Sequence, residues 1–189
     1  MKSETTEYEK WSTKDILREI LGTSVYILVV LILSLLVVKY VGQRTEVIGD
    51  SMQYTLMDGD NLIVNKIGYI VGEPKRFDIV VFPYKYEKRT YFVKRVIGLP
   101  GETVQILADG TILIDGEELV EYYGKETIKN PGVAANPVTL GDDEYFVMGD
   151  NRNNSKDSRF EDVGNIKRKE LMGKAWIRIY PFNEFGKVE

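Results

Sequence analysis

The chain has 189 residues and a formal net charge of −4, and it contains neither histidine nor cysteine. Those absences exclude a Ser-His-Asp triad, a thiol nucleophile, a Cys/His zinc site and a disulfide scaffold. The mild negative charge gives no reason to expect a nucleic-acid partner, and the length allows one membrane anchor followed by one domain of about 150 residues, enough to bury a core.

In chain order, residues 1–19 form a polar tail of mixed charge. An uncharged run from Ile20 to Val38 follows, bracketed by Glu19 and Lys39 and rich in Leu, Ile and Val. As a helix it would rise about 28 Å, close to the ~30 Å hydrocarbon thickness of a bilayer. The run exceeds the apolar region of a signal peptide, and no small-x-small cleavage site follows in Lys39-Tyr40-Val41-Gly42-Gln43-Arg44. The expectation is an uncleaved transmembrane anchor over 20–38. Lys2, Lys10, Lys14 and Arg18 precede it, against Lys39 and Arg44 after it, a bias that puts the N-terminal tail in the cytoplasm. Residues 39–189 then form an extracytoplasmic domain.

Beyond Arg44 the pattern turns to β-structure. Short apolar runs occur at Asn61–Asn65, Asp78–Phe82 (ended by Pro83), Thr90–Ile97, Glu144–Met148 and Ala175–Tyr180. Val104–Leu107 and Thr111–Ile114 flank Ala108-Asp109-Gly110 and read as a hairpin. Strands punctuated by Gly, Pro and Asp predict a mainly β, antiparallel fold behind one N-terminal helix. A helix is expected only near Asn165–Leu171, and residues 121–143, rich in Gly, Asn and Pro, read as a loop or arm.

Three segments permit chemistry. In a strand, Phe92, Lys94 and Val96 share one face, so Lys94 would stand among apolar side chains. Burial favours the neutral amine; bringing it to half neutral at pH 7 costs about 4.6 kcal/mol. A neutral amine beside a serine is a competent general base. The alternative is an edge-strand lysine that extends its ammonium to water. Ser51, in Gly49-Asp50-Ser51-Met52, reads either as a turn residue or as a nucleophile whose local amide donates to an oxyanion. The third segment, Gly149-Asp150-Asn151-Arg152-Asn153-Asn154-Ser155-Lys156-Asp157-Ser158-Arg159, follows an apolar strand. It fits a calcium loop badly, since Arg152 and Ser155 stand at positions that need a ligand and a glycine. It fits better as a supplier of polar groups: Ser155 as a hydrogen-bond partner, and Asp157 in a salt bridge with Arg152 or Arg159.

Together these segments resemble the bacterial type I signal peptidases, Ser-Lys proteases that remove signal peptides from exported proteins. Four segments carry the resemblance, in the family's order: Gly49 to Leu56 with Gly59-Asp60, Phe77 to Phe82, Tyr91 to Gly101, and Gly149 to Arg159. The resemblance implies Ser51 as nucleophile and Lys94 as its base. It implies Ser155 as a hydrogen-bond partner of the Lys94 amine, with Asp157 and Arg159 supporting that loop. It also implies an apolar surface near the membrane and no metal or cofactor. The implied substrates are preproteins with small side chains at −1 and −3, and the secretion translocon is a candidate further partner. Val47 and Ile48 are candidate walls of the substrate pocket. The short segment between Lys94 and Gly149 resembles the compact Gram-positive type.

Two positions depart from the family pattern. Tyr54 stands where proline is usual, which frees one φ angle. Gly49 stands where some members have a serine that assists the oxyanion. A non-catalytic membrane-anchored β domain, an assembly factor or chaperone, is the rival reading; it would be expected to have lost Ser or Lys. A Ser-Lys self-cleaving repressor would carry a DNA-binding domain in place of an anchor. The endoplasmic-reticulum type of signal peptidase needs histidine.

Overall fold

A computed structural model describes residues 12–37, 42–87 and 90–188. The chain divides into two units, Met1–Lys39 and Tyr40–Glu189. The first contains helix α1 (Thr13–Leu36). Its start is set by Ser12 and Asp15, which form a capping box: the Ser12 hydroxyl accepts from the first turn, and Asp15 accepts the Ser12 N–H at 3.2 Å. The helix therefore begins seven residues before the apolar run, taking in Lys14, Arg18 and Glu19. It is long and apolar enough to cross a membrane. Val38, the last residue of the expected span, and its flank Lys39 lie outside the described residues, as do Lys2 and Lys10.

The second unit is built of β1 (Gly42–Glu46), β2 (Asn61–Asn65), a single-turn helix α2 (Gly68–Val71), β3 (Ile79–Pro83), β4 (Tyr91–Gly98), β5 (Thr103–Ile106), β6 (Ile112–Ile114), β7 (Glu117–Glu118), β8 (Val138–Thr139), β9 (Glu144–Met148), β10 (Ile166–Lys167), β11 (Gly173–Tyr180) and β12 (Gly186–Lys187). The larger sheet runs β1-β2-β11-β3-β4-β9-β10, with β12 added to β11; the smaller runs β7-β6-β5-β8. The described strand pairings are all antiparallel. The mainly β antiparallel architecture is thus the one the sequence predicts.

The order places β4 in the interior of the larger sheet. Lys94 pairs with Val80 of β3, and Arg95 sits between Ile79 of β3 and Met148 of β9. Strand β3 has apolar neighbours on both faces: Ile79 and Val81 pack with Val47, Met52, Leu56 and Val93, while Val80 and Phe82 pack with Phe92, Val96, Tyr145 and Val147. That two-sided burial explains why 79–82 reads as a continuous apolar run rather than an alternation.

The hairpin of β5 and β6 closes as expected: Gly110 takes φ +90°, and Asp109 Oδ1 accepts the Thr111 N–H at 3.0 Å. The helix expected near Asn165–Leu171 is not formed. Ile166 and Leu171, the two buried residues there, are five apart and suit no single helix face. Ile166 and Lys167 instead pair with Tyr145 and Glu144, and Arg168–Glu170 make one 3-10 turn. Most of 121–143 lacks regular structure, but it contributes a 3-10 turn at Gly132–Ala135 and strand β8.

Candidate active site

Ser51 lies in the loop between β1 and β2, which is held by its own side chains. Met52 and Leu56, 1% and 0% exposed, are set in the core against Val47, Leu62 and Val93. Each such burial stabilises the loop by about 2 kcal/mol. Asp58 Oδ1 accepts the Gly49 N–H at 2.7 Å, Asp60 Oδ2 accepts the Met57 N–H at 3.0 Å, and the Val47 N–H donates to the Asp60 carbonyl at 2.8 Å. The Ser51 N–H itself donates to no acceptor among the described residues.

The hydroxyl of Ser51 meets Lys94. Nζ lies 2.7 Å from Ser51 Oγ and donates to the Val93 carbonyl at 2.9 Å. Lys94 is 3% exposed, with Nζ 4.9 Å from the centre of the Phe92 ring. This overturns the alternative of an edge-strand lysine extended to water, because β4 has a strand on each side. Desolvation lowers the amine to about 8, against the pull of the Asp157 and Asp150 carboxylates, which favour the ammonium form. At pH 7 about a tenth of such a group is neutral.

The loop after β9 closes the site from a third side. The Asn151 N–H donates to the Ser51 carbonyl at 3.0 Å, and its side-chain amide donates to the Asp50 carbonyl at 3.0 Å. Gly149 passes so close to the Ser51 carbonyl and Ser155 Oγ that a Cβ there would collide with both. Asp157 accepts the Gly149 N–H at 3.1 Å and is held by Arg159 through two contacts of 2.8 Å, both side chains being buried. Arg152 pairs with Glu121 instead.

Two expectations need correction. Ser155 makes no hydrogen bond to Lys94: the amine is engaged by Ser51 and Val93, and the buried Ser155 Oγ has no partner among the described residues. Tyr54 does more than free a φ angle. It takes φ +93°, a conformation that the ring of a proline forbids. Val47 and Ile48 both line a cavity of 690 Å³ that runs between residues 43–52 and Tyr91–Lys94, but they differ in kind. Val47 is 3% exposed and belongs to the core, whereas Ile48 is 86% exposed.

Sequence reasoning missed Arg95. Its guanidinium forks onto Asp150, with Nε to Oδ1 at 2.9 Å and Nη2 to Oδ2 at 2.7 Å, and both side chains are fully buried. Thr55 Oγ1 donates to Asp150 Oδ2 at 2.5 Å, so one carboxylate joins the lysine strand, the serine loop and the loop after β9. The available signal was an arginine in a strand whose neighbours on both faces are apolar. Among the described residues no group of three or more acidic, His or Cys side chains is set to hold a metal ion.

The geometry is that of a serine hydroxyl placed against a buried amine on an antiparallel β scaffold. The sequence model of the family described as "Signal peptidase, peptidase S26" matches residues 20–180, and the chain belongs to that family. It is 39% identical to the signal peptidase I of Bacillus licheniformis over 170 residues, which covers 86% of this chain and 90% of that protein. It is likewise 39% identical to signal peptidase I T of Bacillus subtilis, covering 86% of each. A crystal structure of a signal peptidase I from Enterococcus faecalis V583 is 34% identical and matches with a TM-score of 0.43, over 55% of this chain and 97% of that one.

Proposed function

We propose that this protein is a membrane-anchored serine endopeptidase that removes N-terminal signal peptides from exported preproteins with Ser51 and Lys94. The observation that carries the reading is the 2.7 Å approach of Lys94 Nζ to Ser51 Oγ with the lysine 3% exposed. With the amine neutral, the Ser51 hydroxyl donates to its lone pair while an N–H of the amine stays on Val93. Oγ attacks the carbonyl of the −1 residue as Nζ takes the proton. The Ser51 N–H, without an internal acceptor, stabilises the oxyanion. Nζ returns the proton to the leaving amine, the C–N bond breaks and the mature protein departs. Water loses a proton to Nζ as it attacks the ester on Ser51; the C–Oγ bond then breaks, Oγ takes that proton back from Nζ, and the signal peptide departs with a new carboxyl group.

In this reading residues 1–19 are a cytoplasmic tail, 20–38 cross the membrane and 39–189 are extracytoplasmic. The substrate lies extended in the cavity between residues 43–52 and Tyr91–Lys94, with the exposed Ile48 on its wall and the buried Val47 behind it. Asp157 and Arg159 fix the loop that braces Ser51, and the Ser155 hydroxyl lies on the inner side of that loop.

The test is cleavage of a preprotein by the full-length protein in detergent. Wild type is expected to cut after the signal peptide, and Ser51→Ala and Lys94→Ala to leave it intact. Normal cleavage by either variant would remove the dyad; failure of wild type across varied preproteins would favour a non-catalytic anchored domain.

A further inference from the structure

Residues 121–125 belong to no strand, yet they touch every piece of the site. The Lys125 N–H donates to the Asp150 carbonyl at 2.9 Å, and its Nζ donates to Gln53 Oε1 at 2.6 Å, two residues beyond Ser51. Glu121 pairs with Arg152, which donates to the Gly149 carbonyl at 3.1 Å. Between these two ties the Tyr123 ring covers the guanidinium of Arg95, its centre 3.6 Å from Cζ. The same ring packs on Phe77 at 5.1 Å between centres. Phe77, at φ +71°, turns its carbonyl to accept Arg95 Nη1 at 2.9 Å. Arg95 is thus closed at its edges by Asp150, Thr55 and the Phe77 carbonyl, and over its face by Tyr123.

From this enclosure we infer that Tyr123 is a positioning residue for the Ser51–Lys94 pair: its ring seals the Arg95–Asp150 ion pair from water and so fixes the charge balance around Lys94. The inference rests on the peptidase reading above. The groups that face Lys94 are Ser51 from the serine loop, and Asp150 and Asp157 from the loop after β9, neutralised by Arg95 and Arg159 respectively. Arg44 and Glu46 from β1, Asp50 from the serine loop, Glu87 and Lys156 line the same cavity. A guanidinium face covered by an aromatic ring is stabilised and kept dry. Without the ring, water reaches Arg95 and weakens its hold on Asp150. A less compensated carboxylate favours the ammonium form of Lys94, and so does the water. Both effects make the neutral base scarcer at a given pH. A ring that only packed would, when removed, lower the amount of folded protein equally at all pH values and leave the titration in place.

The experiment follows the Lys94 ε-carbon by NMR in full-length, lysine-labelled protein in detergent, assigned by the signal lost in Lys94→Met. Tyr123→Leu and Tyr123→Met keep apolar bulk without an aromatic face, and Tyr123→Phe keeps the face. The expected result is a titration midpoint raised by about half a unit or more in whichever of the first two folds, and restored in Tyr123→Phe. The acid limb of kcat/KM on a preprotein moves with it, with KM changed less than about twofold. A smaller midpoint shift in Tyr123→Leu or Tyr123→Met overturns the inference, whatever happens to the rate, and so does an inability of both to fold where Tyr123→Phe does, since the ring is then structural. Wild type that titrates at Lys94 but cuts no preprotein fails the peptidase reading and leaves this one standing.

Discussion

Gly149 runs directly beneath the carbonyl of Ser51, in a space that admits no Cβ. The contact binds the loop after β9 to the serine loop at Ser51, the proposed nucleophile. Gly149→Ala is expected to push the Ser51 carbonyl away and to misplace Oγ from Lys94. Displacements of about 1 Å in such a site cost on the order of a hundredfold in rate. Steady-state cleavage of a preprotein should show that loss in kcat, with a thermal midpoint lowered only modestly.

Arg95 and Asp150 are a buried ion pair, and removing one partner strands the other. Arg95→Met or Asp150→Leu alone is expected to cost about 3–5 kcal/mol of stability, and the double variant clearly less than the sum. Chemical denaturation of the four proteins in one detergent measures the coupling; additive losses would contradict it.

How much of this was legible in the sequence can be judged from particular residues. Lys94 was, because period-two alternation put it beside Phe92 and Val96 whichever partners the strand found. Its depth was not: that depends on β3 and β9 flanking β4, a matter of sheet order that local pattern does not encode. Arg95 was hidden for the same reason, its partner being 55 residues away. The 165–171 segment misled because Lys167 to Leu171 are all good helix formers, whereas pairing with the edge of β9 claimed the backbone of Ile166 and Lys167. Asn151 and Gly149 were visible as a motif, but their hydrogen bond and close approach to Ser51 exist only after the loops meet.

Tyr54 holds φ +93°, where a bulky residue carries strain of about 1–3 kcal/mol. Its ring is 71% exposed, and its described partner is the Lys125 ammonium at 5.3 Å, so little contact compensates. Tyr54→Gly is expected to hold or raise the thermal midpoint, and Tyr54→Pro to lower it, because proline requires φ near −65°. The opposite order, with proline the most stable, would mean that the serine loop adopts another conformation.

Lys94 also links stability to pH. Folded, it titrates near 8, below its ordinary value of 10.5, so between those pH values the unfolded chain binds more protons. The contribution of this residue is least favourable below pH 8 and improves by about 3 kcal/mol as pH rises to 10.5. Lys94→Met removes the ionisable group, and denaturation between pH 7 and 10 should find the variant more stable than wild type at the lower end, with the difference shrinking as pH rises. A difference that stays constant with pH would mean the amine is not desolvated in the folded protein.

In the proposed mechanism the same amine sets the chemistry, and single-turnover cleavage of a preprotein across pH reads it most directly. Wild type should show a rate that climbs about tenfold per pH unit and levels near pH 8, where the Lys94 amine becomes neutral. Lys94→Met, folded by thermal unfolding, should fall at least about a thousandfold and lose that rise. A Lys94→Met enzyme within about tenfold of wild type and with the same pH profile would show that another group takes the proton from Ser51.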